Sequence, residues 1–259
     1  ILETRRSQWK GKGKYKEPAA PDTSDLPELP EGWVWATAEQ LGHVQLGRQR
    51  SPKNRSKDYP VKYIRAANIT EAGLNLTDIL DMEFLPVEQE RYRLRRGDLL
   101  LSEASGSPAQ VGKPAVWQDQ LPLCCFQNTV IRLRGSIELS PYLLTCFQSY
   151  YVNGVFAKVA SGVGINHLSA DKFSRVQVPV PPLAEQYRIV TEVDRRLSFV
   201  REIETQVDIN LHRSERLHQS ILNRAFSGKL IQSNANTKSG SWPDLSMAAE
   251  PHGIYKGKA

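Results

Sequence analysis

From Ala184 to Phe226 the chain contains neither proline nor glycine. The run is entered through Val176-Gln177-Val178-Pro179-Val180-Pro181-Pro182-Leu183-Ala184-Glu185-Gln186, which passes from a strand pattern, through a proline stop, into a helix pattern. As one helix it would reach roughly 65 Å at about 1.5 Å per residue. That exceeds an ordinary globular helix, so the chain is expected to be a folded domain mounted on a helical spacer. Val190, Val193, Leu197, Val200, Val207, Leu211, Ile221 and Ala225 recur in three-four alternation along one seam. Glu204, Ser214 and His218 interrupt it, and Ile203 and Leu217 lie one residue aside. A seam near period 3.5 calls for a second helix, and lateral shifts are how coiled coils absorb slip. The partner is expected from the N-terminal stub, from a segment outside this chain, or from another chain. Gly228 is placed to stop the helix.

The fold class expected is α+β: a globular mixed α/β domain followed by a long coiled-coil-forming helix. Residues 1–31 read as the end of a helix and an extended linker, 32–182 as the domain, 183–230 as the spacer and 231–259 as a disordered tail. Four prolines and five acids with no base fill the linker from Glu17 to Glu31. Ile1 to Trp9 reads like the end of a helix already under way, and the chain is expected to be a fragment or to begin after residues not included.

Inside the domain, Ala38 to Leu41 suggests a short helix and Val61 to Arg65 a half-buried strand. Tyr92 to Asp98 reads as strand then turn. Leu99 to Ser102, Gly112 to Trp117 and Thr129 to Leu133 read as strands. Pro141 to Val159 reads as helix, with Tyr142, Leu143, Cys146, Phe147, Tyr150 and Tyr151 toward the core. A loop at Ser161 to Gly164, a capped turn at His167 to Ser169 and a last strand from Phe173 to Val180 complete the pattern.

The chain has 259 residues, 40% hydrophobic, and no run of about 18 apolar residues, so no membrane span is expected and the location expected is cytoplasmic. The N-terminus has no apolar signal core. Cys124, Cys125 and Cys146 make a poor disulfide framework, lack zinc-ligand spacing, and read as buried reduced thiols. The net charge is +6, and residues 46–65 alone carry Arg48, Arg50, Lys53, Arg55, Lys57, Lys62 and Arg65 against Asp58. A basic loop on a balanced remainder marks a polyanion site or a solvated loop.

Catalytic signatures are scarce. Gly97-Asp98 and Gly162-Val163-Gly164 lack the phosphate-loop patterns, and the five histidines show no metal-ligand spacing. No catalytic or metal residue is assigned. A non-catalytic binding module is favoured. The alternatives are a coiled-coil interaction or adaptor protein without DNA binding, and a hydrolase built from His167 with Cys124 or Cys125.

These residues resemble the specificity subunit of type I restriction–modification systems. Val178-Pro179-Val180-Pro181-Pro182-Leu183-Ala184-Glu185-Gln186-Tyr187-Arg188-Ile189-Val190 looks like the family's junction between a target recognition domain and its spacer helix. Gly162 to Ser169 is similar to the loop before the last strand, and Tyr63 to Ile69 to a family strand. Arg95-Arg96-Gly97-Asp98-Leu99-Leu100 is similar to a family turn, Val111-Gly112-Lys113 to a family glycine-lysine element, and Cys125-Phe126-Gln127-Asn128 to a strand start. Ser220 to Leu230 looks like the end of a spacer. The family's full subunit holds two recognition domains and two antiparallel spacers. One of each here implies a second half or a half-sized subunit that needs a second copy or the other half.

The resemblance implies double-stranded DNA, methyltransferase and restriction subunits as partners, with no cofactor on this chain. S-adenosylmethionine, ATP and Mg would belong to the partners. Arg48, Arg50, Lys53, Arg55 and Lys57 would then neutralise phosphates. Arg65, Asn68, Gln127 and Asn166 are candidates for base edges, with Lys113 on phosphate. For Asn68 and Asn166 turn hydrogen bonds are the competing role, and for Gln127 strand-end contacts.

Overall fold

Leu99, Leu100, Leu101 and Ser102 are buried in unbroken succession. Only a strand covered on both faces permits that. The computed structural model describes residues 2–7, 15–49, 58–103, 110–160 and 167–230. In chain order the elements are α1 (Leu2–Ser7), β1 (Val34–Thr37), α2 (Ala38–Leu41), β2 (Gly42–Leu46), β3 (Pro60–Ile64), β4 (Ile69–Thr70), β5 (Gly73–Leu74) and β6 (Leu80–Glu83). There follow α3 (Pro86–Tyr92), β7 (Leu99–Ser102), β8 (Pro114–Val116), β9 (Cys125–Phe126), β10 (Val130–Gly135), α4 (Ser140–Val152), α5 (Val155–Ala160), α6 (Ala170–Ser174), β11 (Gln177–Val180) and α7 (Leu183–Phe226). The class is α+β. The chain divides into two units, Ile1–Ser198 and Phe199–Ala259.

The first unit is organised by an antiparallel sheet in the order β2-β10-β7-β8. Residues paired across an antiparallel ladder share a face. One face therefore carries Ile131, Leu133, Leu99 and Leu101, which join Phe147, Phe156 and Phe173 in the largest core. These three phenylalanines meet at ring centroid distances of 5.5 to 6.1 Å, two of the contacts edge-on. Such pairs contribute about 0.5–1.5 kcal/mol each beyond area burial. The opposite face carries Val130 and Leu100, which pack with Ile64, Phe126 and Trp117 in a second core. A further sheet, β6-β3-β9, holds β9 parallel to β3.

The proline junction is built by side chains that the motif supplies. Gln186 is buried and its Nε2 donates to the Pro181 carbonyl at 2.8 Å. Glu185 accepts the Trp33 indole N–H at 2.9 Å, tying the domain's first residues to the start of α7. The hydroxyls of Tyr142 and Tyr150 donate to Pro179 and Gln177 carbonyls at 2.5 and 2.8 Å, fixing α4 against β11. β11 pairs antiparallel with β1, so both ends of the domain close on one ladder.

Three local expectations are corrected. Residues 92–98 hold no strand, because Pro86 at the first helical turn and Glu88, accepting the Leu85 N–H at 2.9 Å, start α3, which ends at Tyr92. The strand expected from Phe173 begins only at Gln177, because Ser169 caps α6 by accepting the Lys172 N–H at 3.1 Å. The helix expected across residues 141–159 is broken at Asn153 and Gly154, where glycine takes φ 69°. The loop expected at residues 161–164 lies outside the described residues.

In the second unit, α7 runs to Phe226 and ends in a Schellman motif. Gly228 has φ 70°, its N–H donates to the Ala225 carbonyl at 3.2 Å, and the Lys229 N–H reaches the Arg224 carbonyl at 2.8 Å. No helix among the described residues is long and apolar enough to cross a membrane.

Candidate nucleic-acid interface

β10 reads Val-Ile-Arg-Leu-Arg-Gly, so Arg132 and Arg134 alternate with core residues. They lie on the face of Val130, opposite Gln45 and His43 of β2. The connector after α3 crosses the same place. The Arg93 carbonyl accepts from Arg132 Nη1 at 3.3 Å and from Arg134 Nη2 at 2.8 Å. Arg134 also forks onto Asp98, with Nε to Oδ1 at 2.7 Å and Nη2 to Oδ2 at 2.6 Å.

Arg132 is only 2% exposed. Its guanidinium donates to the Gln45 side-chain oxygen and lies over the Phe126 ring at 5.1 Å. No carboxylate bonds it directly, and its Nε has no hydrogen-bond partner among the described residues. Burial, reinforced by the Arg134 charge and opposed by Asp98, brings its pKa down to about 10. Arg95 adds to that field from an exposed position. Arg48, like Arg93 and Arg132, acts by its charge on Cys125. Among the described residues, the carboxylates bonded to the side chains of Arg48, Arg93, Arg95, Arg132 and Arg134 are Glu88 and Asp98.

Arg50, Lys53, Arg55, Lys57 and Asn166 lie outside the described residues. Arg48, expected on phosphate, is 6% exposed and turned inward. Its Nε meets Glu88 Oε1 at 2.7 Å and its guanidinium lies over Phe84 at 5.3 Å. Burial works to raise the Glu88 pKa, but the bonds from Arg48 and the Leu85 N–H and the Arg48 charge together hold it below the usual range. The backbone at Arg48 bridges Gln127, and Gly47 permits the approach: a Cβ there would stand 2.2 Å from the Gln127 carbonyl oxygen.

Asn68, expected as a base reader, is a buried loop staple. Its Oδ1 accepts the Arg65 N–H at 3.1 Å, and its Nδ2 donates to the Asn75 and Asp78 carbonyls at 3.0 and 3.1 Å. Lys113, expected on phosphate, is buried, with Nζ donating to Gln110 Oε1 at 2.9 Å and lying 5.7 Å from the Tyr151 ring centroid. Arg65 keeps partial exposure but pairs with Asp78. Gln127 is half-buried beside Arg48. Sequence reasoning missed Arg93, Arg95, Arg132 and Arg134. The alternation Arg91-Tyr92-Arg93-Leu94-Arg95-Arg96 and the pair Arg132-Leu133-Arg134 were the available signal.

The cysteines do not support nucleophilic chemistry. Burial pushes the Cys124 and Cys125 thiols up to about 12, and a thiolate is the reactive form. His167 Nε2 pairs instead with Glu103 Oε1 at 2.9 Å.

Along α7, Ile189 and Val190 are half-buried and pack against the main core. Val193 is half-buried. Leu197, Val200, Val207, Leu211 and Ile221 are exposed, as are Ile203 and Leu217.

An α+β domain with an arginine-lined sheet face, continued by a helix of exposed apolar side chains, is the build of a binding module. The family model for the type I restriction modification DNA specificity domain matches residues 30–212, and the chain belongs to that family. It is 46% identical over 220 residues to the type I restriction enzyme EcoDI specificity subunit of Escherichia coli, covering 80% of this chain and 44% of that protein. It is 28% identical over 220 residues to the StySPI specificity subunit of Salmonella potsdam, covering 82% and 46%. Among solved structures, a chain of a type I restriction–modification system superimposes with TM-score 0.62 at 23% identity, over 80% of this chain and 49% of that one. The HsdS subunit from Thermoanaerobacter tengcongensis gives 0.56 at 22%, over 80% and 48%. At these identities the structural likeness speaks for the fold. The chain spans about half the length of the curated relatives it matches.

Proposed function

We propose that this chain is a non-catalytic DNA-reading component of a type I restriction–modification complex. It selects one half of an interrupted DNA sequence, and its long helix sets the spacing to the other half and docks methyltransferase subunits. The helix pairs with a second copy or with the other half of a specificity subunit. S-adenosylmethionine, ATP and Mg act on the methyltransferase and restriction subunits, in the cytoplasm. The observation that carries this reading is the conjunction, on one chain, of the specificity-domain match and a seam left exposed at Leu197, Val200, Val207, Leu211 and Ile221. An apolar row of that kind is stable when another helix covers it.

Arg50, Lys53, Arg55 and Lys57 would meet phosphates, while Arg65 and Gln127 stand nearest to base-reading roles among the described candidates. Duplex binding measured by mobility shift at 50 and 200 mM salt tests the reading. Binding that weakens steeply with salt supports it. No duplex binding at either salt would leave the coiled-coil adaptor as the better account.

A further inference from the structure

Arg132 presents an unusual electrostatic arrangement. A guanidinium withdrawn from water normally has a carboxylate of its own, because an unmatched buried charge is strongly unfavourable. Here the direct partners are an amide oxygen of Gln45, a carbonyl of Arg93 and the ring of Phe126. The nearby carboxylate, Asp98, is already forked by Arg134 and accepts the Arg95 N–H at 2.8 Å. Arg95 has no side-chain hydrogen bond or ion pair among the described residues and is exposed. Arg134 retains a quarter of its side-chain surface. A buried cation thus lies within electrostatic reach of two solvent-reachable ones, and Asp98 is the carboxylate bonded among these three arginines in the described residues. Glu88 does not balance the excess, because it is already paired with Arg48.

We propose that Arg95 and Arg134, backed by the buried Arg132, form a clamp for a DNA backbone phosphate on the β2–β10 face. The inference rests on the DNA-reading function proposed above and names where the duplex backbone is gripped. Two guanidiniums give directional donors to a phosphate, and a third behind them raises the local potential without touching it. Arg132 is therefore a positioning residue, held by Gln45 and Phe126. A phosphate contact fixes register and carries no base information. The clamp lies across the sheet from the main core.

The test uses the full chain and a random-sequence duplex, with Kd measured from 50 to 200 mM salt. Arg95→Gln should lower the log–log salt slope by about 0.9, so the rise in Kd over that range shrinks about 3.5-fold. Arg95→Lys should restore most of the slope, because a point charge suffices for counterion release. Arg175→Gln serves as control: it removes an equal charge from beside α6, on the main-core side of the sheet. Equal slope loss for Arg175→Gln would overturn the clamp, since net charge alone would then explain the effect. Duplex binding with an unchanged slope for Arg95→Gln overturns the clamp and leaves the DNA-reading function standing. Absence of duplex binding by the unaltered chain overturns both.

Discussion

Asp98 and Arg134, 36 residues apart in sequence, meet through two hydrogen bonds of 2.7 and 2.6 Å. The carboxylate is 1% exposed, and its Oδ2 also accepts the Arg95 N–H. One side chain thus closes the turn at residues 95–98 and neutralises part of an arginine cluster. Bidentate pairing of this kind adds direction to charge.

Asp98→Asn should therefore destabilise the domain by about 3 kcal/mol, the scale for breaking a buried pair and leaving its cation behind. Urea unfolding measures it. In the double variant Asp98→Asn/Arg134→Gln the loss should fall short of the sum of the single losses, because both changes remove one interaction. Strict additivity would show that the pair is not coupled.

Asn68→Ala should cost about 2 kcal/mol, since it strands the Arg65 N–H and two carbonyls that its side chain satisfies. The salt slope of duplex binding should stay as in the unaltered chain. A stable variant with altered sequence preference would instead return Asn68 to the base-reading role.

Cys124 and Cys125 should resist iodoacetamide at pH 8 in the folded chain. With pKa values near 12, about one thiol in ten thousand is ionised at that pH. The raised values also set a sign: the thiols' contribution to stability is present below 9.0, the ordinary value, and is lost only as pH climbs toward 12. Rapid labelling, followed by mass spectrometry, would contradict the buried placement.

Leu197→Asp should abolish assembly while the recognition domain stays folded. Leu197 is 41% exposed, so a carboxylate there meets water in the isolated chain but would be buried in a helix pair. Light scattering reads the mass and circular dichroism the fold. Unchanged mass in a sample that normally assembles would show that the seam faces solvent.

Features governed by neighbours along the chain were legible from residues alone. The absence of proline and glycine between Ala184 and Phe226 gave α7, and Gly228 its stop. The apolar run at residues 99–102 gave β7. Mistakes arose where a short cap outweighed local propensity, as at Pro86 with Glu88 and at Ser169.

Charge was the harder case. Density in a window singled out Arg48, yet Glu88 and Phe84, 40 and 36 positions away, turn it inward. The cluster that the fold does assemble draws Gln45 to Arg132 across 87 positions and Arg93 to Arg134 across 41. No window spans such distances. The sequence by itself determined the long helix, its row of apolar residues and several of the domain's strands, because those depend on period and backbone chemistry. Only the tertiary structure decided which arginines are spent in pairs and which converge, because strand register and burial set the distances and local dielectric on which charge interactions depend.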